Sequence, residues 1–106
     1  MNELSIEQLK KLCSAGQIIW TDHTMKRILE RRISRADVKA CIMGGEIIEQ
    51  YPTDHPYPSC LVFGYTVEGK VLHVVAGEGD GSLWIITAYW PDPEKWDETL
   101  KIRKER

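Results

Sequence analysis

The sequence has no apolar run near the roughly 20 residues that span a bilayer, which excludes a transmembrane helix and any membrane partner bound through one. It has no basic-then-apolar leader either. Met1-Asn2-Glu3 passes straight into a helical pattern, and the expectation is a cytoplasmic protein. Its cysteines, Cys13, Cys41 and Cys60, are odd in number and far apart, which excludes a disulfide framework and points to a reducing compartment. Each sits in an apolar context, so they read as buried structural thiols rather than nucleophiles. Neither a C-x-x-C nor an H-x-x-x-H spacing occurs, and the three histidines are scattered, so neither a metal nor a cofactor is expected. Internal repeats and linker-like stretches are missing too. The 106 residues hold one domain, 1–106, with a single modest core.

The composition, 42% hydrophobic and 28% charged, is that of an ordinary globular protein. The net charge of −2 is unevenly spread. Residues 1–35 carry seven basic against four acidic side chains, residues 36–98 three against eleven, and residues 99–106 four against one. An acidic middle is thus bracketed by two basic ends, which make a nucleic-acid footprint if they meet in space and solvated helix faces if they do not.

The periodicity changes midway. Ser5-Ile6-Glu7-Gln8 is a capping box, followed by Ile6, Leu9, Leu12 and Cys13 at helical spacing and a stop at Gly16. Gln17 to Trp20 is a brief strand or an extended connector. Thr21 or Asp22 caps a second helix to about Arg32, with Met25, Ile28, Leu29 and Ile33 as its apolar stripe. Ser34-Arg35-Ala36-Asp37 is a second capping box, opening a third helix that Gly44-Gly45 ends. Strand patterns follow over Glu46–Tyr51, Cys60–Thr66, Lys70–Ala76 and Ser82–Trp90. A proline-rich loop, Pro52–Pro58, separates the first two, and Gly77–Gly81 reads as a flexible hairpin loop. Asp92-Pro93-Glu94 suggests an N-cap and Pro at N1 of a last helix carrying Trp96 and Leu100 inward. The expected fold is α+β: N-terminal helices packed on one face of a four-stranded antiparallel sheet, with a short C-terminal helix. The other sheet face would be shallow and concave, or would meet a partner, a second copy of the chain included.

Several residues could carry chemistry. His23, Arg27 and Arg31 recur every four residues and share one strip of the second helix. An imidazole beside guanidiniums suits a phosphodiester, because one moves protons near neutral pH and the others grip phosphate. The alternative is a solvated basic face paired with Glu30. His73 interrupts an apolar strand, as a hydrogen-bonded structural residue or as a group on the open sheet face. Thr87 and Tyr89 share one strand face and could position a phosphate or stack on a base. Trp84, Trp90 and Trp96 read as core and edge packing rather than a base-stacking platform. The Gly77–Gly81 loop leads into a strand, not a helix N-terminus, and is discounted as a phosphate loop.

The combined pattern of Trp20-Thr21-Asp22-His23, Arg27, Glu30-Arg31-Arg32-Ile33-Ser34, Asp37-Val38, Gly45–Pro52, Tyr57–Cys60, Leu72–Val75 and Ile86–Tyr89 resembles an uncharacterised bacterial domain family. Members of that family look like relatives of the BrnT and RelE ribonuclease toxins, often encoded beside a small zinc-finger protein similar to the MqsA or YgiT antitoxins. The resemblance covers about residues 18 to 96. It implies a RelE-like fold, metal-independent RNA cleavage by 2′-hydroxyl attack, and a zinc-finger antitoxin as partner. The family's polar positions fall on His23, Arg27, His73, Thr87 and Tyr89. In that reading His23, Arg27, His73 and Tyr89 are catalytic, and Arg31 and Thr87 bind substrate. A non-catalytic protein-binding module that keeps the toxin fold is the alternative. A small-molecule enzyme ranks last, having no supporting motif.

Overall fold

A computed structural model describes residues 3–104. Three helices come first, α1 (Ile6–Ser14), α2 (Asp22–Glu30) and α3 (Arg35–Met43), with the three-residue strand β1 (Ile18–Trp20) between the first two. Strands β2 (Glu46–Tyr51), β3 (Ser59–Tyr65), β4 (Val71–Gly79) and β5 (Ser82–Tyr89) follow. The helix starts obey local chemistry. Ser5 and Thr21 each accept a hydrogen bond from the backbone N–H three residues on, and Ser34 with Asp37 closes a complete capping box.

The sheet has five strands in the order β1-β5-β4-β3-β2, and it is mixed rather than four-stranded and antiparallel. β1 pairs parallel with β5, Ile18 opposite Leu83 and Trp20 opposite Ile85, and the remaining pairs are antiparallel. Three residues are too few to display a strand period, so the Gln17–Trp20 segment resolves as a strand only once its partner is in place. The last hairpin is also tighter than expected. β4 runs on to Gly79, and the turn is Asp80-Gly81 alone, with φ of 55° and 75°. That is the pair of left-handed residues a two-residue hairpin needs.

The helices bury one sheet face. Leu9, Leu12, Ile28, Val38 and Ile42 meet Val62, Leu72, Val74, Ala76, Leu83 and Ile85 in one core. Leu29 is not part of it. Placed by periodicity on the apolar stripe of α2, it is 77% exposed, because α2 lies along the edge of β5 and buries only a narrow strip led by Ile28.

No C-terminal helix forms. Asp92 accepts backbone bonds from Lys95 and Trp96, which makes one turn, but Asp97 then draws the Thr99 N–H to its side chain and Leu100 takes φ 62°. Local side-chain bonding outcompetes helix propagation. Trp96 is buried as expected, but against the sheet face away from the helices. That face is therefore not open. The 92–104 segment covers its His73 end, and the Pro52–Pro58 loop lies beside its Gly77 end.

Candidate functional site

The chemistry-bearing residues fall into three places. The first is a cleft of about 400 Å³ between the start of α2 and the proline-rich loop, lined by Thr21, His23, Asp54, His55, Tyr57, Trp84 and Ile86 among others. Both histidines are exposed there. The aromatic wall is built by close packing. Tyr57 and Trp84 have ring centroids 5.5 Å apart, and the Trp84 indole N–H donates to the Gly79 carbonyl at 3.0 Å. A Cβ at Gly79 would stand 2.1 Å from the Tyr57 ring, so only glycine lets the loop settle here. Asp54 holds the loop rather than the cleft, accepting from the His55 backbone N–H at 3.1 Å and the Ser59 hydroxyl at 2.6 Å. Arg27 stands one helical turn beyond His23, exposed.

The second place is the edge of β5. β1 ends opposite Ile85, so the outer carbonyls beyond it need other donors. A bulge between Val75 and Ala76 on the β4 side adds Ile86 to β5, and the buried Thr24 hydroxyl satisfies Ile85 O at 2.8 Å and Ile86 O at 3.0 Å. Further along, Arg31 donates to Ala88 O at 2.9 Å and to the Thr87 hydroxyl at 3.1 Å. The helix strip and the Thr87 face therefore do meet, but through Arg31, not through His23.

The third lies under the C-terminal segment. His73, 0% exposed, pairs with Tyr89 across β4 and β5. Its Nε2 donates to Leu100 O at 2.8 Å, which fixes the tautomer and leaves Nδ1 to accept from the Tyr89 hydroxyl at 3.4 Å. Trp96 closes edge-on at 4.6 Å. Burial lowers the pKa of His73, although the Leu100 bond opposes it, and burial raises that of Tyr89. Beside them Arg103 makes two bonds to Glu49, at 2.8 and 3.2 Å, and the Tyr51 hydroxyl donates to the same carboxylate. Burial alone would raise Glu49, but those donors hold it low, and burial pushes Tyr51 up to about 12. His73 and Tyr89 thus form an enclosed network that ties the C-terminal segment to the sheet.

Of the six residues singled out from sequence, His23 lines the first place with Arg27 one helical turn away outside its lining, Arg31 and Thr87 meet at the second, and His73 and Tyr89 at the third. His55 was missed. Its signal was weak: a histidine between Asp54 and Pro56 in a proline-rich loop that only the fold carries across to α2. The three thiols are buried, with Cys41 and Cys60 pushed up to about 12 by burial, and they supply no thiolate. Among the described residues no group of three or more His, Cys, Asp and Glu could hold a metal ion, and no helix is long and apolar enough to cross a membrane.

Residues 20–90 match the family model described as a domain of unknown function, DUF4258. The chain belongs to this family. The DUF4258 span runs from the end of β1 to Trp90, so it contains the first two places entire, whereas Trp96 and Arg103 of the third lie outside it. No curated protein and no solved structure matches the chain.

Proposed function

We propose that the domain is a metal-independent endoribonuclease that cleaves RNA by attack of a ribose 2′-hydroxyl on the adjacent phosphate. The observation that carries this is the pair of exposed imidazoles, His23 and His55, lining one cleft with an aromatic wall. The 2′-oxygen bonds to phosphorus as the 5′-oxygen leaves, so one imidazole takes the 2′-hydroxyl proton and the other delivers one to the leaving oxygen. Arg27 supplies positive charge to the phosphorane, and Tyr57 and Trp84 give a base a face to stack on. The resemblance to a family whose members look like relatives of the BrnT and RelE ribonuclease toxins implies the same reading, with a small zinc-finger antitoxin as partner.

Inducible expression in a bacterium, with growth and RNA integrity followed, is the test. The wild-type chain should arrest growth and cleave RNA in excess EDTA, leaving 2′,3′-cyclic phosphate ends. His23→Ala, His55→Ala and Arg27→Ala should each lower cleavage by about 10²–10⁴-fold while the domain stays folded. Intact RNA with the wild-type chain, or full activity in all three variants, refutes the assignment.

A protein-binding module is the second reading, favoured by Leu29 and Val67, which stand 77% and 68% exposed. It predicts co-purification of a partner with no RNA cleavage. The sheet face first expected to bind that partner is covered by Trp96 and its segment.

A further inference from the structure

Cations from both basic ends and from the middle of the sequence lie on either side of Trp90. This residue follows β5 and lines two clefts at once. One, of about 590 Å³, also holds Arg31, Arg32, Thr66 and Lys70. The other, of about 340 Å³, holds Tyr89, Lys95, Trp96 and Arg103. Trp90 is 38% exposed, yet its indole N–H donates to the Arg31 carbonyl at 2.8 Å, so the ring is fixed in place while part of it stays in water. Reading Trp90 as edge packing accounts for the bond but not for the cations that line the clefts on either side of it.

The charges around it are unequal in availability. Asp37 is held in place by the Ser34 and Val67 amides, at 3.2 Å each, and keeps its negative charge in the cleft with Lys70, while Asp92 accepts from the Glu94 amide at 2.9 Å. Glu68, on the exposed β3–β4 turn, lines the same cleft as Arg32 and Lys70. Arg32, Lys70 and Lys95 make no salt bridge among the described residues. Arg32 holds its position at a cost. It is the left-handed residue that ends α2, with φ 59°, where glycine is the unstrained choice. That strain motivates a role for the Arg32 side chain.

We propose that Trp90 is the stacking platform of a second nucleotide subsite, with Arg32 and Lys70 taking a phosphate on one side of the ring and Lys95 on the other. The ligand is single-stranded RNA, an identity that rests on the ribonuclease reading. The path between the two subsites is continuous. From His23 to Arg31 α2 rises about 12 Å, and from Ile86 to Trp90 the neighbouring chain advances about 13 Å, so both elements run from the imidazole cleft to Trp90. Arg27 and Arg31 lie along that path, and a few unpaired nucleotides bridge it. A base-paired substrate would present no free base to the ring.

Binding separates this subsite from catalysis. Fluorescence anisotropy with a labelled oligothymidylate, which lacks the 2′-hydroxyl and cannot be cleaved, measures affinity of the full chain from 50 to 300 mM salt. Trp90→Ala should weaken binding by roughly 5- to 100-fold, whereas Trp90→Phe, which keeps a ring but loses the indole N–H, should retain most of it. Arg32→Gly with Lys70→Gln and Lys95→Gln should flatten the slope of log affinity against log salt by about 1.4, at about 0.7 for each of the two phosphates. No binding by the wild-type chain, or wild-type affinity in both Trp90→Ala and the triple variant, overturns the subsite. Binding that needs Trp90 in a chain that cleaves no RNA upholds the subsite and sinks the nuclease reading instead.

Discussion

Arg32 adopts φ 59° to complete a Schellman motif, in which its own N–H reaches Leu29 O at 3.1 Å and the Ile33 N–H reaches Ile28 O at 2.8 Å. Both bonds are made by backbone, so they survive any substitution that tolerates the conformation. The left-handed region costs an L-residue about 1–2 kcal/mol, and glycine escapes that cost. Glycine also gives the unfolded chain more freedom, which returns about 0.5–1 kcal/mol to the unfolded side. The Arg32 side chain is exposed and forms no salt bridge among the described residues, so nothing else is lost. Arg32→Gly should therefore stabilise the domain by about 0.5–1 kcal/mol, which in a domain near this size raises Tm by about 2–8 °C. Thermal unfolding followed by far-UV circular dichroism reads the shift. Arg32→Ala is the control. It removes the same side chain but keeps the left-handed cost, so its Tm should stay with the wild type. A glycine variant no more stable than the alanine variant would refute the argument that this arginine is held against its backbone preference.

Other perturbations test other links. Gly64 lies flat against the end of α3, and a Cβ there would stand 2.3 Å from the Cys41 carbonyl, so Gly64→Ala should cost about 3 kcal/mol in a urea titration as helix and strand are forced apart. Thr24→Val keeps the shape of a buried side chain but strips the donor from the β5 bulge, and should cost about 1–3 kcal/mol in the same assay. His73 supplies a pH signature. Burial lowers its folded pKa, so as pH falls below about 6.5 the unfolded chain binds a proton that the native state does not, and stability declines until the folded value is passed. The slope of Tm against pH in that window should flatten in His73→Asn, and an unchanged slope would mean that the imidazole is not held neutral by its enclosure.

What could be read from the sequence divides along the reach of the interactions involved. Helix starts were legible because Ser5, Thr21 and Ser34 act on amides three residues away. Strands β3 to β5 were legible as short apolar, β-branched and aromatic runs bounded by turn residues, although β3 is buried on both faces. The failures all needed a distant partner. β1 is a strand only because β5 is beside it. Leu29 is exposed only because α2 lies on a sheet edge rather than across a face. The 92–104 segment has good helix-opening residues, yet Asp97 bonds Thr99 locally while Leu100 O and Trp96 find His73 and the sheet, and the two together end the helix after one turn. The site divides in the same way. The His23, Arg27, Arg31 strip is a single-helix pattern and was visible, whereas its pairing with His55 depends on a loop 32 residues on and on Gly79 giving the Tyr57 ring room. Trp90 shows why residue type alone misleads. One indole hydrogen bond to Arg31 O marks it as packing, and only the position of Arg32, Lys70 and Lys95 around the exposed ring gives that fixed orientation something to hold.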